Sequence, residues 1–114
     1  ELKGLSVLVA GLAYKKNIDD ARESPSYDII SLLHSKGANV DYSDPYIKSF
    51  PETRKYKFNL SHVEINKENL GNYDAVILAT DHDDFDLAMM QDYCKLLLDT
   101  RGVCDKALKN VIRI

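Results

Sequence analysis

Much of what would set this sequence apart from ordinary globular domains is missing from it. Cysteine occurs only twice, at Cys94 and Cys104, and that pair matches neither a zinc spacing nor the framework of a disulfide-dense secreted scaffold, so reduced thiols in a cytoplasmic protein are expected. Glycine and proline are sparse, five and three residues, which excludes low complexity and, with abundant Tyr, Ile, Leu and Val, disorder. No window approaches the roughly 18 consecutive apolar residues of a membrane span, and the N-terminus lacks the basic, apolar and small-residue succession of a signal peptide. No membrane partner is expected. Lysine and arginine number 15 against 18 acidic residues, a net charge of −3, and they form no clustered stripe, which excludes a nucleic acid held by phosphate neutralisation.

What is present suits a core. The 114 residues are 45% hydrophobic, and a chain of this length buries roughly two thirds of the surface its unfolded form exposes, without need of disulfides or metal. One domain, residues 1–114, is expected. The chain opens at Glu1 without Met, and a piece of a longer protein is expected on that ground.

Short apolar runs recur at Ser6 to Ala10, Asn39 to Tyr42, Ala75 to Ala79, Leu96 to Leu98 and Val111 to Ile114, each with the length and composition of a buried strand. Between the first two, Ser24 stands as an N-cap, Pro25 as the first helical residue and Gly37 as the stop. Tyr27, Ile29, Ile30, Leu32 and Leu33 supply the expected apolar face. A strand, helix and strand in this order form a parallel unit with a right-handed crossover. Asp44 to Asn69, which contains Asp44-Pro45 and Phe50-Pro51, reads as a long surface loop ending in a short strand at His62 to Ile65. A short helix is expected after Asp83 or Asp84. Together these elements predict a three-layer α/β domain with a mostly parallel sheet.

In such a sheet the ligand crevice lies outside the carboxyl ends of the strands. Four polar segments fall there: Gly11 to Glu23, Asp44-Pro45, Thr80-Asp81-His82 and Asp99 to Gly102. Lys15, Lys16, Arg22 and Arg101 bring cations to the rim where a helix N-terminus would point, an arrangement that suits phosphates. Asp19, Asp20 and Glu23 stand beside those cations, so a solvated loop of ion pairs is an equal reading. Gly11 is followed by Leu-Ala-Tyr, so the three spaced glycines of a dinucleotide fingerprint are absent. The acidic run Asp81 to Asp86 lacks the Gly and Glu of a calcium loop, and helix capping explains it better than metal. His34 and His62 have no partners at ligand spacing. Cys94 and Cys104 sit among apolar or mixed neighbours, which favours packing over nucleophilic roles.

The stretch from Gly11 through Ala-Tyr-Lys-Lys-Asn-Ile-Asp-Asp-Ala-Arg-Glu-Ser to Pro25, then Tyr42-Ser-Asp-Pro-Tyr46, Ala79-Thr-Asp-His82 and Asp99-Thr-Arg101, resembles the C-terminal domain of the UDP-glucose/GDP-mannose dehydrogenase family. The motifs cover nearly the whole chain in order, and the wording of the first is closer to the UDP-N-acetylglucosamine 6-dehydrogenase branch. The resemblance implies a Rossmann-like, UDP-sugar-binding domain without catalytic residues of its own. The remainder of such an enzyme would be an N-terminal NAD-binding domain and a central helical region bearing the dimer contact and the catalytic cysteine. The implied reaction oxidises the sugar C6 alcohol to a carboxylate for polysaccharide biosynthesis. Tyr14 and Lys15 match the aromatic-Lys pair that touches the nucleotide, and Arg101 matches the Arg of the late strand motif; Lys16 and Arg22 are secondary candidates.

Two other readings share the fold. A phosphoryl-relay receiver domain would use Asp19-Asp20, Asp44 and Thr80, but the acidic pair comes nine residues after Ala10 and the late strand ends in Asp-Thr-Arg instead of Lys. A non-catalytic interaction module would use the loop aromatics Tyr46, Phe50, Tyr56 and Phe58, residues that more often pin a loop to its own domain.

Overall fold

A computed structural model describes residues 3–12, 25–47, 60–104 and 108–113. Its strands are β1 (Ser6–Ala10), β2 (Asn39–Ser43), β3 (Ala75–Leu78), β4 (Leu97–Asp99) and β5 (Val111–Arg113), and its helices are α1 (Pro25–Ser35), α2 (Lys67–Gly71) and α3 (Leu87–Tyr93). The strands form one sheet in the order β2-β1-β3-β4-β5, and every neighbouring pair is parallel.

Strand periodicity divides the core into two layers. Val7 and Val9 of β1 point to one face with Val40 and Tyr42 of β2 and Ile77 of β3, where Tyr27 and Ile30 of α1 cover them. Leu8 and Ala10 point to the other with Val76, Leu78 and Leu97, under Leu70, Met90 and Phe85. Strands β1 and β3, buried on both faces, read as continuous apolar runs, whereas the edge strand β2 alternates its buried Val40 and Tyr42 with Asn39 and Asp41. The predicted three-layer α/β architecture is the one observed.

Helix α1 ends as its sequence predicts. Gly37 has φ +91, its N–H donates to the His34 carbonyl at 3.0 Å, and the Ala38 N–H donates to the Leu33 carbonyl at 3.1 Å. This pair of reversed bonds is the glycine-terminated C-cap. Leu32, however, is 57% exposed and does not share the buried face. Ile30 and Leu32 lie about 200° apart around a helix, so one face cannot hold both.

The other departures are local. Helix α3 begins at Leu87, after the Asp86 carboxylate caps the Met89 N–H, a few residues later than expected, because the Phe85 N–H first closes a turn onto the His82 carbonyl. The predicted strand at His62 to Ile65 is a single parallel bridge between His62 and Tyr42. Helix α2 was not expected; Asn66 caps it through a bond from the Asn69 N–H, and its buried residue is Leu70. No helix among the described residues is long and apolar enough to cross a membrane.

Candidate functional site

The chain leaves β1 for β2 on one side, and β3 then pairs with β1 on the other. This reversal makes the carboxyl ends of β1 and β3 the topological switch point, where open parallel sheets form their ligand crevice. Gly11 stands at that point with φ +98, and a Cβ placed there would lie 2.5 Å from the backbone N and Cβ of Thr80. The Gly11 N–H donates to the Ser43 carbonyl at 2.7 Å, and its carbonyl accepts from the Ser26 hydroxyl at 2.8 Å. One residue thus ties β1 to β2, to β3 and to the start of α1.

Below the crevice lies a fully buried charged group. Asp44, at 0% exposure, and His82, at 1%, meet at 2.8 Å between Oδ2 and Nε2. The Leu12 N–H donates to the same Oδ2 at 2.8 Å, and the Tyr46 N–H donates to Oδ1 at 2.8 Å. Each carboxylate oxygen already accepts from a backbone N–H, and an Nε2–H donor on His82 completes the set. His62 Nε2 adds a contact to the Asp44 carbonyl at 3.1 Å. The Tyr46 ring lies 4.9 Å from His82 in a tilted stack, and Phe85 meets it edge-on at 5.5 Å. Tyr46 is 38% exposed; its hydroxyl is pushed up from the usual range, first by desolvation and then by the carboxylates of Asp84, Asp83 and Asp44.

The end of β4 is organised by a second carboxylate. Asp99 is fully buried, and it accepts from the N–H groups of Arg101 at 2.9 Å, Gly102 at 2.8 Å and Cys104 at 2.7 Å. Burial alone would raise this carboxyl; the backbone donors, led by Cys104, outweigh it and hold the group below the usual range. The loop so fixed carries Arg101, whose Nε lies 3.5 Å from Asp81 Oδ1, its side chain 45% exposed. An exposed pair of this kind contributes about 0–1 kcal/mol, so a stronger anion can take the guanidinium from it. The Thr100 hydroxyl donates to the Leu78 carbonyl at 2.7 Å and sutures β4 to β3.

Of the site residues expected from sequence, Arg101 stands on the predicted rim. Tyr14, Lys15, Lys16 and Arg22 lie outside the described residues, as do Asp19, Asp20, Phe50, Tyr56 and Phe58. The receiver reading is not supported: Asp44 is wholly buried and occupied by hydrogen bonds, whereas a phosphoacceptor must present an oxygen to its donor, and Thr80 is 3% exposed. Asp44 and His82 are the residues that sequence reasoning did not bring together. Asp44 follows directly on β2 and His82 lies four residues past the end of β3, which is the available signal, but the acidic neighbours of His82 draw the run toward a capping role. Only Asp86 performs that role as an N-cap.

Among the described residues, no group of three or more His, Cys, Asp or Glu side chains could hold a metal ion. The one glycine at the switch point has the space beside its Cα filled by Thr80 rather than open to a pyrophosphate. Cys94 and Cys104 are free and buried. Burial, with a smaller contribution from Cys104, pushes the Cys94 thiol up to about 12, and burial, then Asp99, pushes Cys104 to about 11. Neither is activated as a nucleophile.

Residues 8–106 match the family model described as the UDP-glucose/GDP-mannose dehydrogenase family, UDP binding domain. Among curated proteins, the chain is 31% identical to a UDP-N-acetyl-D-mannosamine dehydrogenase of Methanococcus vannielii, over 95% of this chain and 26% of that protein. It is 28% identical to a UDP-glucose 6-dehydrogenase of Rickettsia prowazekii, over 98% of this chain and 27% of that one. Among solved structures, a UDP-glucose dehydrogenase from the archaeon Pyrobaculum islandicum superimposes with a TM-score of 0.69 at 28% identity, covering 98% of this chain and 25% of that one. The chain therefore spans about a quarter of the length of the relatives it matches.

Proposed function

The chain belongs to the UDP-glucose/GDP-mannose dehydrogenase family, as its UDP-binding domain, and on that premise we propose that it recognises the nucleotide of a UDP-sugar for an NAD-dependent 6-dehydrogenase. The observation that carries this reading is the convergence of the ends of β1, β2, β3 and β4 on one crevice, with Arg101 on its rim. The guanidinium forks to ribose or phosphate oxygens in exchange for its weak pair with Asp81. Lys15 meets the diphosphate as a flexible cation, Tyr14 offers its ring or hydroxyl to uracil or ribose, and Lys16 and Arg22 are secondary. Gripping the nucleotide holds the sugar for chemistry performed elsewhere in the protein.

NAD is assigned to a separate N-terminal domain, since the three spaced glycines of a dinucleotide fingerprint are absent after Gly11. The full enzyme is a cytoplasmic homo-oligomer supplying uronic acids for polysaccharide synthesis. Its substrate is a UDP-N-acetylhexosamine, a choice supported by the wording of Gly11 to Tyr27 and by the name of the Methanococcus relative.

Titration of the full-length protein with UDP and with NAD tests the site. Lys15→Ala and Arg101→Ala each remove a charge-assisted hydrogen bond of about 1.5–3 kcal/mol and raise the UDP dissociation constant roughly ten- to a hundredfold, with NAD affinity intact. Unchanged UDP binding, or equal loss of NAD, refutes the assignment. Side-by-side kcat/KM values for a UDP-N-acetylhexosamine, UDP-glucose and GDP-mannose test the sugar; preference for UDP-glucose overturns that part alone.

A further inference from the structure

The buried Asp44–His82 pair has no direct route to a ligand, yet it is tied to the segment on which nucleotide recognition depends. Oδ2 of Asp44 holds the N–H of Leu12, two residues after β1 ends and three before Lys15 in the chain. The same oxygen accepts from Nε2 of His82, four residues past the end of β3, while Oδ1 fixes Tyr46 after β2. One carboxylate thus sets the mutual placement of the chain leaving β1, β2 and β3. Tyr46 and Phe85 cover the imidazole, and with water excluded these hydrogen bonds are stronger and the geometry less forgiving.

We propose that Asp44 and His82 are positioning residues for the nucleotide site: a buried latch that fixes where the chain leaves β1 toward Tyr14 and Lys15, and so sets affinity for the UDP moiety without touching it. The inference rests on the nucleotide-binding reading above. A purely structural cross-link would give a different pattern, because its loss would lower stability without regard to which ligand is measured. A latch lowers affinity for the ligand gripped by the held segment and leaves the distant cofactor alone. Drawing a group away from its charge-assisted hydrogen bond to the nucleotide costs roughly ten- to a hundredfold in affinity.

The test uses the full-length protein and three variants. His82→Phe keeps the ring and its packing but removes the donor to Asp44, whereas His82→Gln restores an N–H close to the position of Nε2. Asp74→Asn is the control: the Asp74 carboxylate accepts from the Ser6 N–H at 2.9 Å and the Ser6 hydroxyl at 3.3 Å, at the opposite end of β1. Thermal stability, UDP and NAD dissociation constants, and the KM and kcat for the UDP-sugar are measured on each. The latch predicts that His82→Phe raises the UDP dissociation constant and the KM on the order of tenfold, with kcat and NAD affinity near those of the parent. It also predicts that Gln recovers most of the loss, and that Asp74→Asn leaves UDP binding unchanged whatever it does to stability.

Parent-like UDP binding by His82→Phe overturns the latch, as does equal weakening of UDP and NAD, or failure of Gln to recover more than Phe. Should His82→Phe not fold, Asp44→Asn decides by the same measurements, since an amide cannot accept from Leu12 and Tyr46 on both of its terminal atoms. Absence of UDP binding by the parent itself refutes the nucleotide-binding reading, and the latch with it, and is thereby distinguished from failure of the latch alone.

Discussion

Replacing Gly11 with alanine should be among the most damaging single-methyl additions possible in this chain. Two costs combine. At φ +98 an L-residue sits in backbone territory that costs about 1–3 kcal/mol. The added Cβ would also lie 2.5 Å from Thr80 N and Cβ and 2.7 Å from Thr80 O; forcing it in parts β1 from β3 at a typical overpacking cost of about 1–3 kcal/mol. The sum, about 2–6 kcal/mol, is a large share of the 5–15 kcal/mol that normally separates folded from unfolded chains. Gly4 provides the comparison, because it too has positive φ, +85, but nothing stands within 4 Å of its Cβ position. Gly4→Ala bears the backbone cost alone. Urea unfolding of each variant, followed by far-UV circular dichroism, should rank Gly11→Ala well below Gly4→Ala and lower Tm by at least about 8 °C. Thr80→Ala cannot rescue it, since all three clashing atoms survive that change. If Gly11→Ala proves no less stable than Gly4→Ala, the close approach of β1 to β3 has been misjudged.

Acid should loosen the β4 loop. Because the Asp99 carboxyl is lowered from its usual 3.8, its stabilising contribution is complete above that value and fades as pH falls further toward the folded-state value. Stability measured from pH 6 to pH 2 should decline below about pH 4, and Asp99→Asn should flatten that decline while being less stable at neutral pH; an unchanged profile refutes the loop's dependence on this group. With folded-state values near 12 and 11, Cys94 and Cys104 should resist iodoacetamide at pH 8 in the native protein and react once it is denatured, so rapid native labelling would contradict their burial. Finally, the 114-residue chain alone should fold but reduce no NAD with any UDP-sugar, and turnover by a preparation free of contaminating dehydrogenase would disprove the division of labour proposed above.

Local rules carried most of the fold. Pro25, Gly37 and the apolar runs mark β1, α1 and β2 because each signal is contained within a few residues, and two-sided burial makes β1 and β3 continuous apolar words while β2 alternates. Leu32 shows the limit: a cluster of aliphatic residues signals a helix, but only angular position decides which of them are buried. Helix α2 went unseen because five residues cannot establish a period, although Asn66 was a usable cap. Arg101 could be placed on the rim from the strand that precedes it. The contact between Asp44 and His82 spans 38 positions, and nothing local in either segment announces the other; that pairing exists only once β1 has come between their strands.

The central place of β1 also bears on the order in which the molecule assembles. The first strand pairs with β2 across α1, but its other edge waits for β3, as the bond from Ser6 to Asp74, 68 positions apart, makes plain. Closing so long an interval carries the larger entropic cost and tends to come late. Since Gly11 meets Thr80 only across that seam, the crevice is not contained in one local unit but made by the join of longest sequence separation in the sheet. Nucleotide competence would then have to await that join, and chains in which β1 and β3 have not yet met would have nothing with which to compete for substrate.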